Sequence, residues 1–567
     1  MSQRSVYLET FGCQMNELDS ELVSGSLRAL GYRFTPDPDA ASIVLYNTCS
    51  VREHAEQKVW SRLGELALRK KSEPGLVVGV LGCMAERDGT ALIGRMPVVD
   101  VLVGPGELDK LPGLLDNAVR TRESLLADAE PMAAERSARQ VALQGSASRR
   151  TATLAAAEDQ LEMLDLSRSV SPVDGAAGGK SAYVRITRGC NKFCTYCVVP
   201  FTRGAEIHRP PEHIIDECKR LADAGVIEIT LLGQTVNHYR FEHGAAVTVG
   251  GLVQPQKGRT YKGSHNRDAF AGDHTTTFAD LLRRIHDEVP SISRLRFVTS
   301  YPRDFGDDVL EVIRDHPRLC RYLHVPAQSG SDRMLKMMNR GYTVAEYLEF
   351  IDRARAFLDE PAKGRPLMMS GDFIVGFPTE TEADFEATVA LTKRARYKNA
   401  FIFKYSPRPG TVAFDKLADD VSEADKRRRN NMLLAVQGEI SDKISREQVG
   451  REFDVFVEGA SKLERKRREK AAAPAGVVPL TIGGRGGGDD DDRGCSAGGS
   501  HVHRDEPVAT DSGPVRLAGR TDGDQIVFFD APAGASVAAW TGRIVRVRIS
   551  AADRLNLRGE LIASQPA

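Results

Sequence analysis

Cys190, Cys194 and Cys197 stand in the spacing C-x3-C-x2-C within the segment RGCNKFCTYCVVPFTRGAEIHR (188–209). Three thiols held this close either ligate a metal or pair as disulfides, because neighbouring thiols otherwise oxidise. The count is odd and the intervening loops are short, so a metal is the better reading. A structural zinc site is closed by four ligands, usually as two C-x2-C pairs, and no second pair adjoins this one. An iron–sulfur cluster is held by cysteine thiolates, normally four. Three cysteines leave one iron of a 4Fe–4S cluster open to a ligand from outside the protein.

Composition bounds what surrounds this loop. At 567 residues the chain is long enough for two to four domains, and 41% apolar with 27% charged residues is ordinary for a globular protein. The net charge of −1 means that a nucleic-acid partner must be met by a local basic patch. Nine cysteines in this length do not suggest a secreted disulfide scaffold. No run of eighteen apolar residues occurs, so no membrane span is expected. MSQRSVYLETFGC runs directly into a strand pattern, unlike a signal peptide or an Arg/Ser-rich presequence. A reducing cytoplasm is the expected location.

Three more cysteines are placed by the elements that carry them. SVYLETFGC (5–13), IVLYNTC (43–49), LVVGVLGC (76–83) and VVDVLVG (98–104) read as strands with helical patterns between them. That alternation predicts a parallel sheet covered by helices over residues 1–120. Cys13, Cys49 and Cys83 each fall at the carboxyl end of a different strand, and those ends line the ligand edge of such a sheet. The alternative is three buried structural cysteines. Burial alone gives no reason for the same place in three successive units, each beside Gly or Thr, so a second cluster is the expectation.

Residues 121–178 turn to Ala, Ser, Glu, Gly and Arg and read as a linker with a helix within it. From 179 to 445 the rhythm resumes: YVRIT (183–187), EITLLG (228–233), RLRFVT (294–299), YLHVP (322–326), SGDFIVGF (370–377) and AFIFKYS (400–406). Six strands with amphipathic helices between them suit a partial (β/α)6 barrel, whose active face is formed by loops at the strand carboxyl ends. Cys218 falls on the apolar face of one such helix and Cys320 before the fourth strand; both read as core. Residues 240–277 are polar and read as an insertion on the active-face side, a solvated loop more often than a lid. In 446–567, REFDVFVEG, DQIVFFD, TGRIVRVRIS and LRGELI alternate as strands. The intervening 461–510, with KLERKRREK and four aspartates, reads as disordered. Cys495, His501 and His503 within it read as an incidental grouping. Arg546 and Arg548 share one face of a strand, where they could neutralise phosphates.

The C-x3-C-x2-C loop, with Tyr196 as the aromatic before the third cysteine, resembles the radical S-adenosylmethionine (SAM) enzymes. In these the open iron binds the amino and carboxylate groups of SAM, and one electron cleaves SAM to a 5′-deoxyadenosyl radical. TFGCQMNELDSE, YNTCSVREHAEQKVW and GVLGCMAER resemble the N-terminal domain of the methylthiotransferases, radical SAM enzymes with a second 4Fe–4S cluster. GCQMN with NTCSVRE is most similar to the branch acting on N6-dimethylallyladenosine in tRNA. The resemblance implies two 4Fe–4S clusters, on Cys13, Cys49 and Cys83 and on Cys190, Cys194 and Cys197, with SAM as cosubstrate. It implies that Tyr196, Gln234, Asn237, Ser300, Gln328, Asp372 and Gly376 contribute to cofactor contacts, though Thr235 departs from an Asn of some relatives. It also implies a TRAM-like C-terminal barrel with Arg546 and Arg548 on RNA, a tRNA anticodon stem-loop as partner, a low-potential donor (flavodoxin or ferredoxin), and a monomer. The rival expectations are a related enzyme acting on threonylcarbamoyl-adenosine or a ribosomal protein, and a non-catalytic RNA-binding Fe–S protein.

Overall fold

The computed structural model describes residues 4–50, 53–127, 139–144, 159–168, 179–258, 274–472, 514–532 and 534–562. Its first sheet has six strands: β1 (Ser5–Phe11), β2 (Arg33–Phe34), β3 (Ile43–Thr48), β4 (Val77–Gly82), β5 (Val101–Val103) and β6 (Gln140–Ala142). The spatial order is β2-β1-β3-β4-β5-β6 and every pairing is parallel. β3 and β4 are buried along their whole length, which is why they read as continuous apolar runs rather than alternating ones. The sheet does not stop at residue 120. The helix Leu111–Ala127 crosses that boundary, and β6 adds a sixth strand from the expected linker. The helix expected in the linker is Gln160–Leu166, capped by Asp159, whose carboxylate accepts from the Glu162 amide.

The central strands are β7 (Ser181–Arg185), β8 (Glu228–Leu232), β9 (Arg294–Phe297), β10 (Tyr322–His324), β11 (Met368–Val375) and β12 (Asn399–Lys404). They form two parallel sheets, β7-β8-β9 and β10-β11-β12, joined by a parallel bridge between Leu295 and Leu319. This is the open six-stranded arrangement expected. Along β8 the faces alternate. Ile229 and Leu231 join the apolar core beneath the outer helices. Leu232, with Tyr183 and Val298, joins the core of the N-terminal domain, where it meets Leu18 and Leu22 of the helix Gln14–Ala29. The N-terminal domain therefore packs on the inner face of the barrel's first half. Cys218 and Cys320 are buried, as expected of core residues.

The C-terminal strands β13 (Glu452–Ala460), β14 (Arg516–Arg520), β15 (Ile526–Asp530), β16 (Ile544–Ala552) and β17 (Asn556–Leu561) close a barrel in the order β13-β14-β15-β17-β16. The turn before β15 plugs the amino-terminal end of the central barrel. There Asp524 accepts from Arg296 at 3.0 Å, Lys398 at 2.8 Å and Arg520 at 3.1 Å.

Two expectations about irregular chain are corrected. Residues 462–472, read as disordered, form the helix Lys462–Ala472; residues 473–513, with Cys495, His501 and His503, lie outside the described residues. The segment 240–277 is not simply a solvated loop. Arg240–Glu242 pairs with Thr275–Thr277, Thr248–Val249 with Leu252–Val253, and Gln256–Lys257 with Ile207–His208 beside the cysteine loop; residues 259–273 lie outside the description. Backbone pairing gives its polar residues a place that composition alone does not reveal.

Candidate active site: two cysteine triads at one barrel mouth

Cys13, Cys49 and Cys83 come together because the ends of β1, β3 and β4 are adjacent and the residues before them leave room. A Cβ at Gly12 would lie 2.9 Å from the Cys49 Cβ, and one at Gly82 only 2.4 Å from Asn47 Oδ1. Gly82 also has φ +90°, a conformation other residues rarely adopt. A side-chain lattice ties the ends of β1 and β3. Cys13 Sγ donates to Asn16 Oδ1 at 3.3 Å, Asn16 Nδ2 donates to Asn47 Oδ1 at 3.0 Å, and Asn47 Nδ2 donates to the Asn16 carbonyl at 2.9 Å. A hydrogen bond with Cys49, opposed by burial and helped by Arg203, holds the Cys13 thiol down at about 5. Burial pushes Cys83 up, against the pull of Arg203.

Cys190, Cys194 and Cys197 follow β7 at the carboxyl end of the first barrel strand. Gly189 has φ +65°, and a Cβ there would lie 2.1 Å from the Ala205 carbonyl oxygen, so the loop folds back only with glycine at this point. Asn191 pins the loop: its Nδ2 donates to the Gly258 carbonyl and its Oδ1 accepts from the Glu206 amide, each at 3.0 Å. Arg340 Nη1 donates to Cys194 Sγ at 3.3 Å, while its guanidinium lies 4.7 Å from the Tyr301 ring centroid. Burial pushes Cys190 well up, reinforced by Glu206 and the neighbouring thiols; burial and Cys194 push Cys197 up to about 12. Crowded, buried thiols of this kind become thiolates only beside a centre of high positive charge. An iron–sulfur cluster on each triad fits that donor chemistry.

The two triads face each other. Cys83 and Cys197 are within electrostatic reach, and the helix Cys83–Asp88 packs on the short helix Val199–Thr202 that follows Cys197. Between them lies Arg203, hydrogen-bonded to Cys83 and donating to Asp19 Oδ2 at 2.8 Å. Asp19 also accepts from Arg185 of β7 at 3.2 Å. Arg185 continues to Asp165, Arg209 to Glu162 and Glu217, and Arg168 to Glu217 and Glu21. This buried network spans the N-terminal helix, the linker helix and the barrel.

The other expected site residues divide. Gln234, Asn237, Ser300, Gln328, Asp372 and Gly376 all lie at or beyond strand carboxyl ends, or near the end of β11. Ser300 is buried, and its hydroxyl has no hydrogen-bond partner among the described residues. Asp372 faces His324, Oδ2 to Nε2 3.4 Å. Gln328 has φ +70° and bridges to β11 through its backbone, donating its amide to the Asp372 carbonyl; Ser331, not Gln328, caps the helix that follows. Asn237 clamps the Tyr301 backbone, its Nδ2 donating to the Tyr301 carbonyl at 2.8 Å and its Oδ1 accepting from the Tyr301 amide at 2.9 Å. Gly376, φ +71°, donates its amide to Glu380 and lies against Lys426, whose Cγ would be 2.3 Å from a Cβ. Tyr196 packs edge-on to Phe377 within a small apolar cluster. Arg546 and Arg548 are on an exposed face as expected but are paired, with Asp454 at 3.1 Å and Glu452 at 2.7 Å.

Comparisons with known proteins identify the family. The model described as Uncharacterized protein family UPF0004 matches residues 5–104, and that of the Radical SAM superfamily matches residues 184–392. The tRNA-2-methylthio-N(6)-dimethylallyladenosine synthase of Rhodopirellula baltica is 41% identical over 478 residues, 84% of this chain and 88% of the relative. The chain belongs to that family. The synthase of Burkholderia thailandensis is 36% identical over 561 residues, covering 99% of this chain and 97% of its own. Among solved structures, the radical SAM methyltransferase TsrM of Kitasatospora setae matches with TM-score 0.42 at 15% identity, covering 73% of this chain and 77% of that one. As a member of the synthase family the protein is a sulfur-inserting radical SAM enzyme that uses SAM and 4Fe–4S clusters.

Sequence reasoning missed Arg203, Asp19, Asn16, Asn47 and Arg340. A signal existed for two of them: Asn16 and Asp19 sit with Met15, Leu18 and Leu22 on the buried side of the helix Gln14–Ala29, where a polar residue must find a partner.

Proposed function

We propose that the protein methylthiolates C2 of N6-dimethylallyladenosine at position 37 of tRNA. The observation that carries this reading is the meeting of two cysteine triads across Arg203 at the mouth of one barrel. The C2–H of an adenine has no acidic proton to remove at neutral pH, so acid–base groups alone cannot start the reaction. When bound, the barrel cluster and SAM supply one-electron chemistry for that bond, and the second cluster supplies sulfur.

The residues divide the remaining work. Cys190, Cys194 and Cys197 would hold the cluster that takes SAM, and Cys13, Cys49 and Cys83 the other. Ser300, Gln234, Gln328 and Asp372 are the polar groups left to contact SAM or the adenine. Tyr196, Asn237 and Gly376 position the loops around them. The target base lies in the single-stranded anticodon loop, where it can be splayed into the mouth. The C-terminal barrel is a TRAM-like module that meets the tRNA through Arg546 and Arg548. A low-potential donor, flavodoxin or ferredoxin, would deliver the electrons. We place the enzyme in the cytoplasm as a monomer, where reducing conditions protect thiolates. No helix among the described residues is long and apolar enough to cross a membrane.

Mass spectrometry of tRNA nucleosides from cells with and without the gene tests this. The 2-methylthio form of dimethylallyladenosine is expected to vanish on deletion and return with the intact gene. Its persistence after deletion, with loss of a different thiolated product, would overturn the assignment.

A further inference from the structure

Glu206, His208 and His238 form a donor cluster outside both cysteine triads. One donor atom from each lies within 4.8 Å of the others. Glu206 is fully buried, and its carboxylate has Oε2 2.8 Å from His238 Nδ1 while Oε1 accepts from the Thr235 hydroxyl at 3.2 Å. His208 is 2% exposed, and its Nδ1 is buried without a hydrogen-bond partner among the described residues. Leaving such a nitrogen unsatisfied costs about 1–3 kcal/mol, which a bound ligand would recover.

Glu206 and His208 are in the state a metal requires; against the effect of burial, Glu206 raises His238, which must release its proton on loading. Although burial alone would raise it, the Glu206 carboxyl is held down at about 2 by His238 and His208. Burial, against the pull of Glu206, holds His208 down at about 4, so its imidazole is neutral. Metal ligands must be a neutral imidazole and an ionised carboxylate. The backbone is also shaped for the site: a Cβ at Gly258 would lie 2.6 Å from His208 Nε2, so the chain passes there only as glycine.

We propose that Glu206, His208 and His238 bind one divalent transition-metal ion of the zinc class. Two imidazoles and a carboxylate, with a water in the fourth position, are an ordinary donor set for zinc. Donors around a tetrahedral zinc stand about 3.3 Å apart. Glu206 Oε2 and His238 Nδ1, now 2.8 Å apart, would part slightly to admit the ion, and no donor pair is more than 4.8 Å apart, a change within reach of side-chain rotation. The ion would join two separate segments. His208 lies in the strand Ile207–His208 that returns from the cysteine loop and pairs with Gln256–Lys257; His238 lies in the turn Val236–His238 after β8. Its role is to staple the cysteine loop to its neighbours, apart from the methylthiolation proposed above.

The test is metal analysis of anaerobically reconstituted holoenzyme, dialysed against a chelator-buffered zinc solution, with X-ray absorption at the zinc edge. One zinc per chain is expected, with nitrogen and oxygen neighbours and no sulfur shell. The variants His208→Gln and His238→Gln are each expected to lose that zinc while keeping the iron of the wild type. Absence of zinc from the wild type, a sulfur shell at the zinc edge, or zinc unchanged in both variants would overturn the proposal. If a variant loses iron as well, the wild-type absorption spectrum decides by its ligand shell.

Discussion

Asp19 and Arg203 form a buried ion pair, Oδ2 to Nη2 2.8 Å, between the helix that begins after Cys13 and the segment that follows Cys197. Each triad is built by its own domain, from strand ends and glycines. Their relative placement depends on contacts between the domains, and this pair reaches one sulfur set directly, because Arg203 also bonds Cys83. Removing water from two charges offsets much of their mutual attraction, so such a pair is better suited to fixing one docking geometry than to adding stability.

Replacing Asp19 by Asn should therefore do more damage than its size suggests. Arg185 and Arg203 would lose a shared carboxylate and remain buried. Breaking a buried pair in this way costs about 3–5 kcal/mol. A lower urea midpoint at unchanged slope is expected. Iron per chain should fall toward half, because Arg203 also bonds Cys83. Wild-type iron content together with a wild-type midpoint would show that the pair does not set the docking.

Much of this was legible in the sequence, and what was not has a physical reason. The cysteine positions followed from strand ends, because β1, β3 and β4 announce themselves as apolar runs that stop at Cys13, Cys49 and Cys83. Six barrel strands were equally plain. Contacts across domains were not: nothing local marks Arg203 as a partner of Asp19, 184 residues apart. Composition also misled where backbone pairing took over, as in β6, the strand Gln256–Lys257 and the helix Lys462–Ala472. Nor did anything local show that Asn237, placed after β8, would also clamp the Tyr301 backbone through its amide.

Gly82→Ala is expected to empty the N-terminal triad selectively. The new Cβ would meet Asn47 Oδ1 at 2.4 Å and the Thr48 carbonyl at 2.7 Å, at a φ of +90°. Strain of this kind costs on the order of 1–3 kcal/mol and falls on the strand end that carries Cys83. Iron should drop by about half by stoichiometry of two like clusters. Release of 5′-deoxyadenosine from SAM should persist while tRNA methylthiolation is lost. Equal loss of both activities would instead place the barrel cluster under the control of Gly82.

The plug at the other end of the barrel makes a prediction about pH. Lys398, Arg520 and Arg296 hold the buried Asp524 carboxyl well below the usual carboxylate range, against the opposing effect of burial. Its folded pKa is depressed, so the contribution is fully present above the unfolded value, near 4, and is lost as pH falls from there toward the folded value. In Asp524→Asn, three cations lose their common acceptor at every pH. The midpoint of thermal unfolding should fall at neutral pH, and the difference from the wild type should shrink on acidification below about pH 4. A difference that stays constant down to pH 2 would count against an ionised Asp524 as the source.

The C-terminal barrel makes the last prediction, and it reverses the obvious one. Arg546 and Arg548 are spread along an exposed strand, but each is held by an acid of the adjacent strand β13, Asp454 or Glu452. Exposed pairs of this kind are worth about 0–1 kcal/mol, so a phosphate can compete for the arginine, at the expense of leaving a carboxylate beside it. Removing the carboxylates should therefore strengthen tRNA binding. In Glu452→Gln with Asp454→Asn, affinity for the tRNA substrate should rise. The slope of log K against log salt should steepen by about 0.7–0.9 for each phosphate newly contacted. The further change of both arginines to Gln should abolish that gain. If the acid-to-amide variant binds tRNA no better and with the same salt slope, this strand face does not meet the tRNA backbone.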